Sequence, residues 1–141
     1  MQRVYEVCTL LAGMTIQNNI HSHLTTEARA VLRSGATEMP GTSALLHESR
    51  DGMFRCAGCN AALFKSDAKF ESGTGWPSFD QAIPGAVVEK VDTTHGMKRV
   101  EILCGNCKGH LGHVFDDGPT DTGLRYCTNG CALDFKAKTH K

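Results

Sequence analysis

The sequence predicts a mainly β (α+β) domain of antiparallel strands preceded by one short helix, and three observations predict it. After Pro40-Gly41 the short runs MFRC, ALF, AVVEKV, KRVEILC, HVF and LRYC recur between clusters of Gly, Pro, Asn and Asp, the rhythm of strands joined by turns. Within residues 98–104, Lys98, Val100, Ile102 and Cys104 alternate imperfectly with Arg99, Glu101 and Leu103, and the β-branched members favour a strand. The 141 residues carry no internal repeat beyond two Cys-x-x-Cys pairs and no low-complexity linker, so one domain follows.

Taken in order, residues 1–23 lack a clear period, contain the polar run Gln17-Asn18-Asn19 and end on His21, Ser22 and His23. They are expected to form a mobile N-terminal tail. Its first stretch, MQRVYEVCTLLAGM, has one Arg and a short apolar segment, but Glu6 interrupts it and no small-residue cleavage site follows, which argues against a signal or transit peptide. The segment TTEARAVLRSG then predicts a helix: Thr25 as N-cap, Glu27 in the first turn, Ala28, Val31 and Leu32 at helical spacing, Arg33 in the last turn and Gly35 as C-cap. The six strand runs follow.

The charge balance narrows the function. Lys and Arg number 15 against 15 Asp and Glu, without a run of one sign, which argues against nucleic acid or an anionic membrane as partner. No apolar run approaches the 18 or more residues of a membrane span. Seven cysteines stand out, and four of them form two close pairs that suit a metal in a reducing cytosol rather than secreted disulfides, so a cytoplasmic location is expected.

Cys56-Ala57-Gly58-Cys59 and Cys104-Gly105-Asn106-Cys107 share one shape. Two thiolates separated by two residues can face one ion, the glycine allows the tight turn, and two such pairs complete a tetrahedral Cys₄ site. Four thiolates leave no open coordination position, so one structural Zn²⁺ per chain is expected, clamping two hairpins distant in sequence. Two redox dithiols are the weaker reading. Zinc ribbons occur in many functional classes, so function stays open at this point.

Cys8, Cys127 and Cys131 remain. In an extended strand Arg125, Cys127 and Asn129 project from one face, so a guanidinium and an amide flank the Cys127 thiol, and a nearby cation favours the thiolate. The segment alone leaves Cys127 between a nucleophile and a buried structural thiol. HLGHVFDDGP supplies His110 and His113, which by themselves are metal ligands, acid/base groups or ordinary half-buried residues. A zinc hydrolase needs a third ligand and an open position, and the Glu of the helical zincin motif is absent; a His titrating near neutrality beside a nucleophilic Cys serves better as a proton donor. Trp76, the only Trp, sits in the Gly/Pro turn GTGWPSF, where it either walls a pocket for a small apolar group or plugs the end of the core.

Together and in this order, CAGC, FKSDAKFESGTGWPSF, HGMKRVEILCGNC, GHLGHVFDDGP and LRYCTNGCALDF resemble the B-type methionine sulfoxide reductases, the peptide-methionine (R)-S-oxide reductases, from about Thr26 to Phe135. The resemblance implies two antiparallel β-sheets with short N-terminal helices and a zinc distal to the active site. It implies a catalytic domain over residues 24–137, with 138–141 as a C-terminal tail. It makes Cys127 the nucleophile, from the RYC-x-N motif, and sets Trp76 against the substrate's terminal methyl group. His110, His113, Asp117, Arg125 and Asn129 match the polar shell around the sulfoxide oxygen. The chemistry implied is attack of Cys127 on the sulfur of methionine-R-sulfoxide, free or in oxidised proteins, with His113 and nearby His110 supplying protons and Cys127 left as a sulfenic acid. Thioredoxin or a small thiol would supply the electrons to a monomer.

The sequence departs from the family at one telling place. Many members carry a resolving cysteine in the loop SGCGWPSF, where this chain has Thr74. Cys131 on a straight strand would lie about 13 Å along from Cys127, beyond the roughly 7 Å Cα limit for a disulfide. A tight Asn129-Gly130 hairpin would pair Cys131 with Thr128 instead. Cys8, in the tail, is the other candidate, and direct reduction by an external thiol is the third route. PGTSALL stands where the family often reads P-F-T-G, and Gly130-Cys131 replaces Ser-Ala after the Asn. Two rival functions, a zinc-ribbon binding module and a zinc hydrolase built on the His pair, fit the polar set around Cys127 less well.

Overall fold

The computed structural model describes residues 24–138; the expected tail over 1–23, Cys8 within it, and residues 139–141 lie outside the described residues. Helix α1 (Thr26–Ser34) begins where its capping signals are written: Thr25 Oγ1 accepts from the Ala28 N–H at 3.1 Å, and Gly35 turns left-handed at φ 73°. It buries Ala28, Val31 and Leu32. It packs so closely on the chain before the seventh strand that a Cβ on Gly109 would come 2.7 Å from Leu32 Cδ2. Among the described residues α1 is the one α-helix, against the several short ones implied by resemblance.

The strands are β1 (Gly52–Cys56), β2 (Ala62–Lys65), β3 (Lys69–Phe70), β4 (Ser78–Phe79), β5 (Val87–Asp92), β6 (Arg99–Cys104), β7 (His110–Phe115), β8 (Arg125–Thr128) and β9 (Leu133–Ala137). They form two antiparallel sheets, β2-β1-β9 and β3-β4-β8-β7-β6-β5. Six strands coincide with the six predicted runs. β3 and β4, two residues each, are too short to show an alternation. β9 is reached through a 3-10 turn, Gly130–Ala132, that carries the chain from the larger sheet to the smaller, so the Asn129-Gly130 hairpin is not formed.

An aromatic cluster joins the sheets. Phe64 of β2 stacks on Phe79 of β4 with centroids 4.2 Å apart, Phe54 of β1 meets Phe79 edge-on at 4.9 Å, and Tyr126 of β8 meets Phe64 at 5.8 Å. Phe54, Phe64 and Phe79 are fully buried, each worth about 1.5–3 kcal/mol of burial before packing is counted. Ile102, Val114 and Tyr126 point to this core. The alternate residues of β6, β7 and β8 therefore share the opposite face of the larger sheet, and that face carries the chemistry. No helix among the described residues is long and apolar enough to cross a membrane.

Candidate active site and cysteine cluster

Strand register assembles the site. Cys127 of β8 lies directly between Ser78 of β4 and His113 of β7; His113 in turn faces Glu101 of β6, and Phe115 faces Arg125. Directly opposed residues share a face, so Ser78, Cys127, His113 and Glu101 form one row across the sheet. His110 is three residues from His113, and in a regular strand the two would point to opposite faces. The β6–β7 register shifts at Leu103, which pairs with His110, so Leu111 is a bulge and His110 returns to the face of His113. Their rings meet edge-on at 5.6 Å.

Each histidine has a carboxylate partner. His113 Nε2 lies 2.7 Å from Asp92 Oδ2 at the end of β5, and His110 Nδ1 lies 2.6 Å from Glu101 Oε2. Burial pushes the His113 pKa below its ordinary value, against the hydrogen bond to Asp92, which raises it. Asp92 is held well below the usual carboxylate range, first by His113 and then by the backbone and hydroxyl of Thr94. Arg125 donates to Asp117 through Nε at 2.8 Å and Nη2 at 3.1 Å, and its guanidinium lies 4.5 Å from the centre of the Phe115 ring. That fork lowers the Asp117 carboxyl and raises Arg125.

The thiol itself departs from the simple expectation that its cation would make it acidic. Burial pushes Cys127 above its ordinary value; Arg125 opposes by charge, and Thr74 and Arg125 oppose by hydrogen bonding. Thr74, at the position of the absent cysteine, thus lines the same cavity as Cys127 and is one of the polar groups that hold its thiol down. Its hydroxyl lies 2.8 Å from Ser72 Oγ, which lies 2.8 Å from Ser78 Oγ.

A cavity of ≈ 250 Å³ opens over this face, lined by Cys127, His113, Arg125, Trp76, Thr74 and Asn129 among others. Trp76 is half-buried and donates Nε1–H to the Glu38 carbonyl at 2.7 Å. Asn129 Oδ1 accepts from the Glu38 N–H at 2.8 Å, and its Nδ2 donates to the Leu111 carbonyl at 3.1 Å. The Glu38 carboxylate accepts from the Gly130 N–H at 2.8 Å. One buried glutamate therefore ties the Trp wall to the end of β8. His110 supports His113 from beside the cavity and does not line it.

Sequence reasoning left Asp92, Arg99, Glu101, Glu38 and Phe115 without roles. Arg99 lines the cavity, reaches Asp92 Oδ2 at 3.5 Å, and its buried Nε has no hydrogen-bond partner among the described residues. The alternation in β6 could have flagged Arg99 and Glu101 as one charged face; Asp92 and Glu38 gave no local signal. Cys131 lines a different cavity from Cys127, with its sulfur within 4.8 Å of carboxylate oxygens of Glu27 and Glu38, and burial followed by those carboxylates pushes its thiol up to about 12.

The sulfurs of Cys56, Cys59, Cys104 and Cys107 all lie within 4.8 Å of one another, with Cys56 and Cys107 at 3.7 Å and Cys59 and Cys104 at 3.6 Å. A tetrahedral zinc with bonds of about 2.3 Å requires sulfurs about 3.8 Å apart, so the thiol set fits that ion. Both knuckles close alike: Asn60 and Lys108, each after the second cysteine, are left-handed and return their N–H to Cys56 and Cys104 carbonyls at 2.8 Å. Cys56 ends β1 and Cys104 ends β6, so the cluster joins the two sheets.

Comparison with known proteins shows the family. Residues 24–137 match the SelR domain family. The chain is 52% identical over 124 residues to the peptide methionine sulfoxide reductase MsrB of Synechococcus sp. (strain RCC307), covering 87% of this chain and 91% of that protein. It is 54% identical over 114 residues to the MsrB of Leptospira interrogans, covering 80% and 87%. It is 56% identical over 110 residues to the MsrB of Bradyrhizobium diazoefficiens, covering 77% and 79%.

Proposed function

The chain belongs to the SelR-domain family, the B-type methionine sulfoxide reductases, and from that premise we propose that it reduces methionine-R-sulfoxide, free or within proteins, with Cys127 as nucleophile. The observation that carries the reading is the thiol at the base of a cavity whose other walls are an indole, a guanidinium and a histidine. The Trp76 face receives the terminal methyl group. Arg125, clamped by Asp117, and the Arg99 guanidinium, whose Nε has no partner among the described residues, attract the sulfoxide oxygen. Asn129, held at both ends of its amide, fixes the strand end beside Cys127.

The reaction balances without an outside oxidant. Cys127 sulfur attacks the sulfoxide sulfur, the substrate's sulfur–oxygen bond breaks, and a sulfur–oxygen bond to Cys127 forms; the thiol proton ends on that oxygen, with His113 as carrier and His110 beside it. The products are methionine and a Cys127 sulfenic acid. One epimer fits when methyl, oxygen and main chain each meet a different wall. One external thiol then forms a mixed disulfide with release of water, and a second regenerates Cys127. The separate cavity and raised thiol of Cys131 favour this external route, with thioredoxin or a small thiol as donor and Cys8 as the remaining internal alternative. Cys56, Cys59, Cys104 and Cys107 would hold zinc as a structural clamp that takes no part in these steps. The cytoplasm and a monomeric catalytic domain over residues 24–137 complete the reading.

The test is a stereospecific assay with free and peptide-bound R and S sulfoxides on the unaltered protein and on Cys127→Ser. Reduction of R alone, abolished in the variant while it keeps one zinc per chain, is the expected result. An active serine variant, or reduction of S alone, refutes the assignment.

A further inference from the structure

We propose that Asp92 is a positioning residue for this reduction, fixing His113 in the tautomer whose Nδ1 is bare, so that His113 accepts the Cys127 proton before delivering it to the sulfoxide oxygen. The proposal rests on Cys127 being the nucleophile. Asp92 lies on β5, two strands from His113, and no sequence motif links the two.

The tautomer follows from the partners of one carboxylate. Asp92 Oδ1 accepts from the Thr94 N–H at 2.9 Å and the Thr94 hydroxyl at 2.7 Å; Oδ2 takes Arg99 Nη2 at 3.5 Å and His113 Nε2 at 2.7 Å. An ionised carboxylate is acceptor-only, so His113 must present Nε2–H to it. Burial disfavours the imidazolium, and a neutral imidazole has a single N–H. Nδ1 is therefore an acceptor, and it has no hydrogen-bond partner among the described residues. Cys127 is directly opposite His113 across the β7–β8 pair, and its half-buried thiol has its pKa raised by desolvation, so the first demand on His113 is to accept.

The groups facing His113 act in that sense. Asp92 from β5 stabilises the imidazolium formed by the transfer, while Arg99 from β6 and His110 from β7 disfavour it, so the proton is passed on rather than retained; Glu101 of β6, opposite His113, is engaged by His110, and Arg125 of β8, on the same cavity, is engaged by Asp117. In the transfer the Cys127 S–H bond breaks and an Nδ1–H bond forms. As the sulfur–oxygen bond moves from substrate to Cys127, that proton leaves Nδ1 for the oxygen, and His113 returns to its starting form. Nucleophile, base and orienting carboxylate thus come from three different strands.

The test combines nitrogen NMR of the histidine rings in the unaltered full chain with kinetics of Asp92→Asn and Asp92→Glu. The expected spectrum assigns His113 to the Nε2–H form above neutral pH. The isosteric Asn variant is expected to lose about 10²-fold in kcat with KM within about twofold, and the Glu variant to recover part of that loss. A His113 found in the Nδ1–H form overturns the proposal, as does a folded Asp92→Asn enzyme whose kcat stays within about threefold. Should Asp92→Asn fail to fold, the tautomer of the unaltered protein decides alone. An active Cys127→Ser enzyme would overturn the reading of the site instead, and the ring spectrum separates that outcome from this one.

Discussion

Removing one thiolate of the four-sulfur cluster, as Cys107→Ser, is expected to cost much stability and little chemistry. The magnitude follows from connectivity. With zinc bound, the cluster would tie Cys59 to Cys104, 45 residues apart, and a cross-link closing such a loop restricts the unfolded chain by about 4 kcal/mol in the chain-entropy treatment used for disulfides. For a domain of this size that corresponds to a fall in Tm of roughly 15 °C. The effect on catalysis is different because β6 separates the two sites: Arg99 lines the cavity at one end and Cys104 sits in the cluster at the other, about 17 Å away at roughly 3.4 Å per residue. Calorimetry, metal analysis and kcat/KM measured well below the lowered Tm form the assay. The expected variant lacks zinc, melts early and, while folded, keeps kcat/KM within about threefold. A metal-free variant whose Tm moves by less than about 3 °C would refute the clamp. A folded variant slowed about 100-fold would refute the separation of metal from chemistry.

Two further outcomes concern the thiol. Because burial outweighs Arg125 and raises the Cys127 pKa, the rate of its alkylation by iodoacetamide in the absence of substrate is expected to climb still above pH 9.0, and Arg125→Met to move the curve further alkaline; a plateau below that pH contradicts the buried geometry. Thr74 lines the same cavity as Cys127, so Thr74→Cys is expected to yield an intramolecular disulfide with Cys127 after one equivalent of methionine sulfoxide, mapped by mass. Persistence of the sulfenic acid would mean that the loop holds position 74 out of bonding reach.

Local signals made much of the fold legible. Thr25 and Gly35 bound α1 because capping is chemistry between neighbours. Six of the seven longer strands, all but β9, were readable from apolar runs punctuated by turn residues. β3 and β4 were not, since two residues make no period, and the 3-10 turn that sends β9 to the smaller sheet satisfies the partner strand β1 rather than any local preference. In the site, Trp76, His113, Arg125, Cys127 and Asn129, all named from motifs, line one cavity while His110 and Asp117 act on it through His113 and Arg125, but the sign of the Cys127 shift did not follow from its neighbour Arg125, because desolvation depends on everything packed over the thiol.

The sequence by itself determined which atoms could do chemistry: four thiols in two knuckle-forming pairs, a thiol between a guanidinium and an amide, two histidines and an indole in a rigid turn. Spacing along a chain carries that information when the partners are within a few residues. Only the tertiary structure decided that His110 and His113 share a face, since an odd spacing needs the bulge at Leu111. It alone brought Asp92 from β5 to His113 and the Glu38 backbone to Trp76 and Asn129. Those contacts join residues 21, 38 and 91 positions apart, and such pairings are set by strand order and register, which no local stretch of sequence encodes.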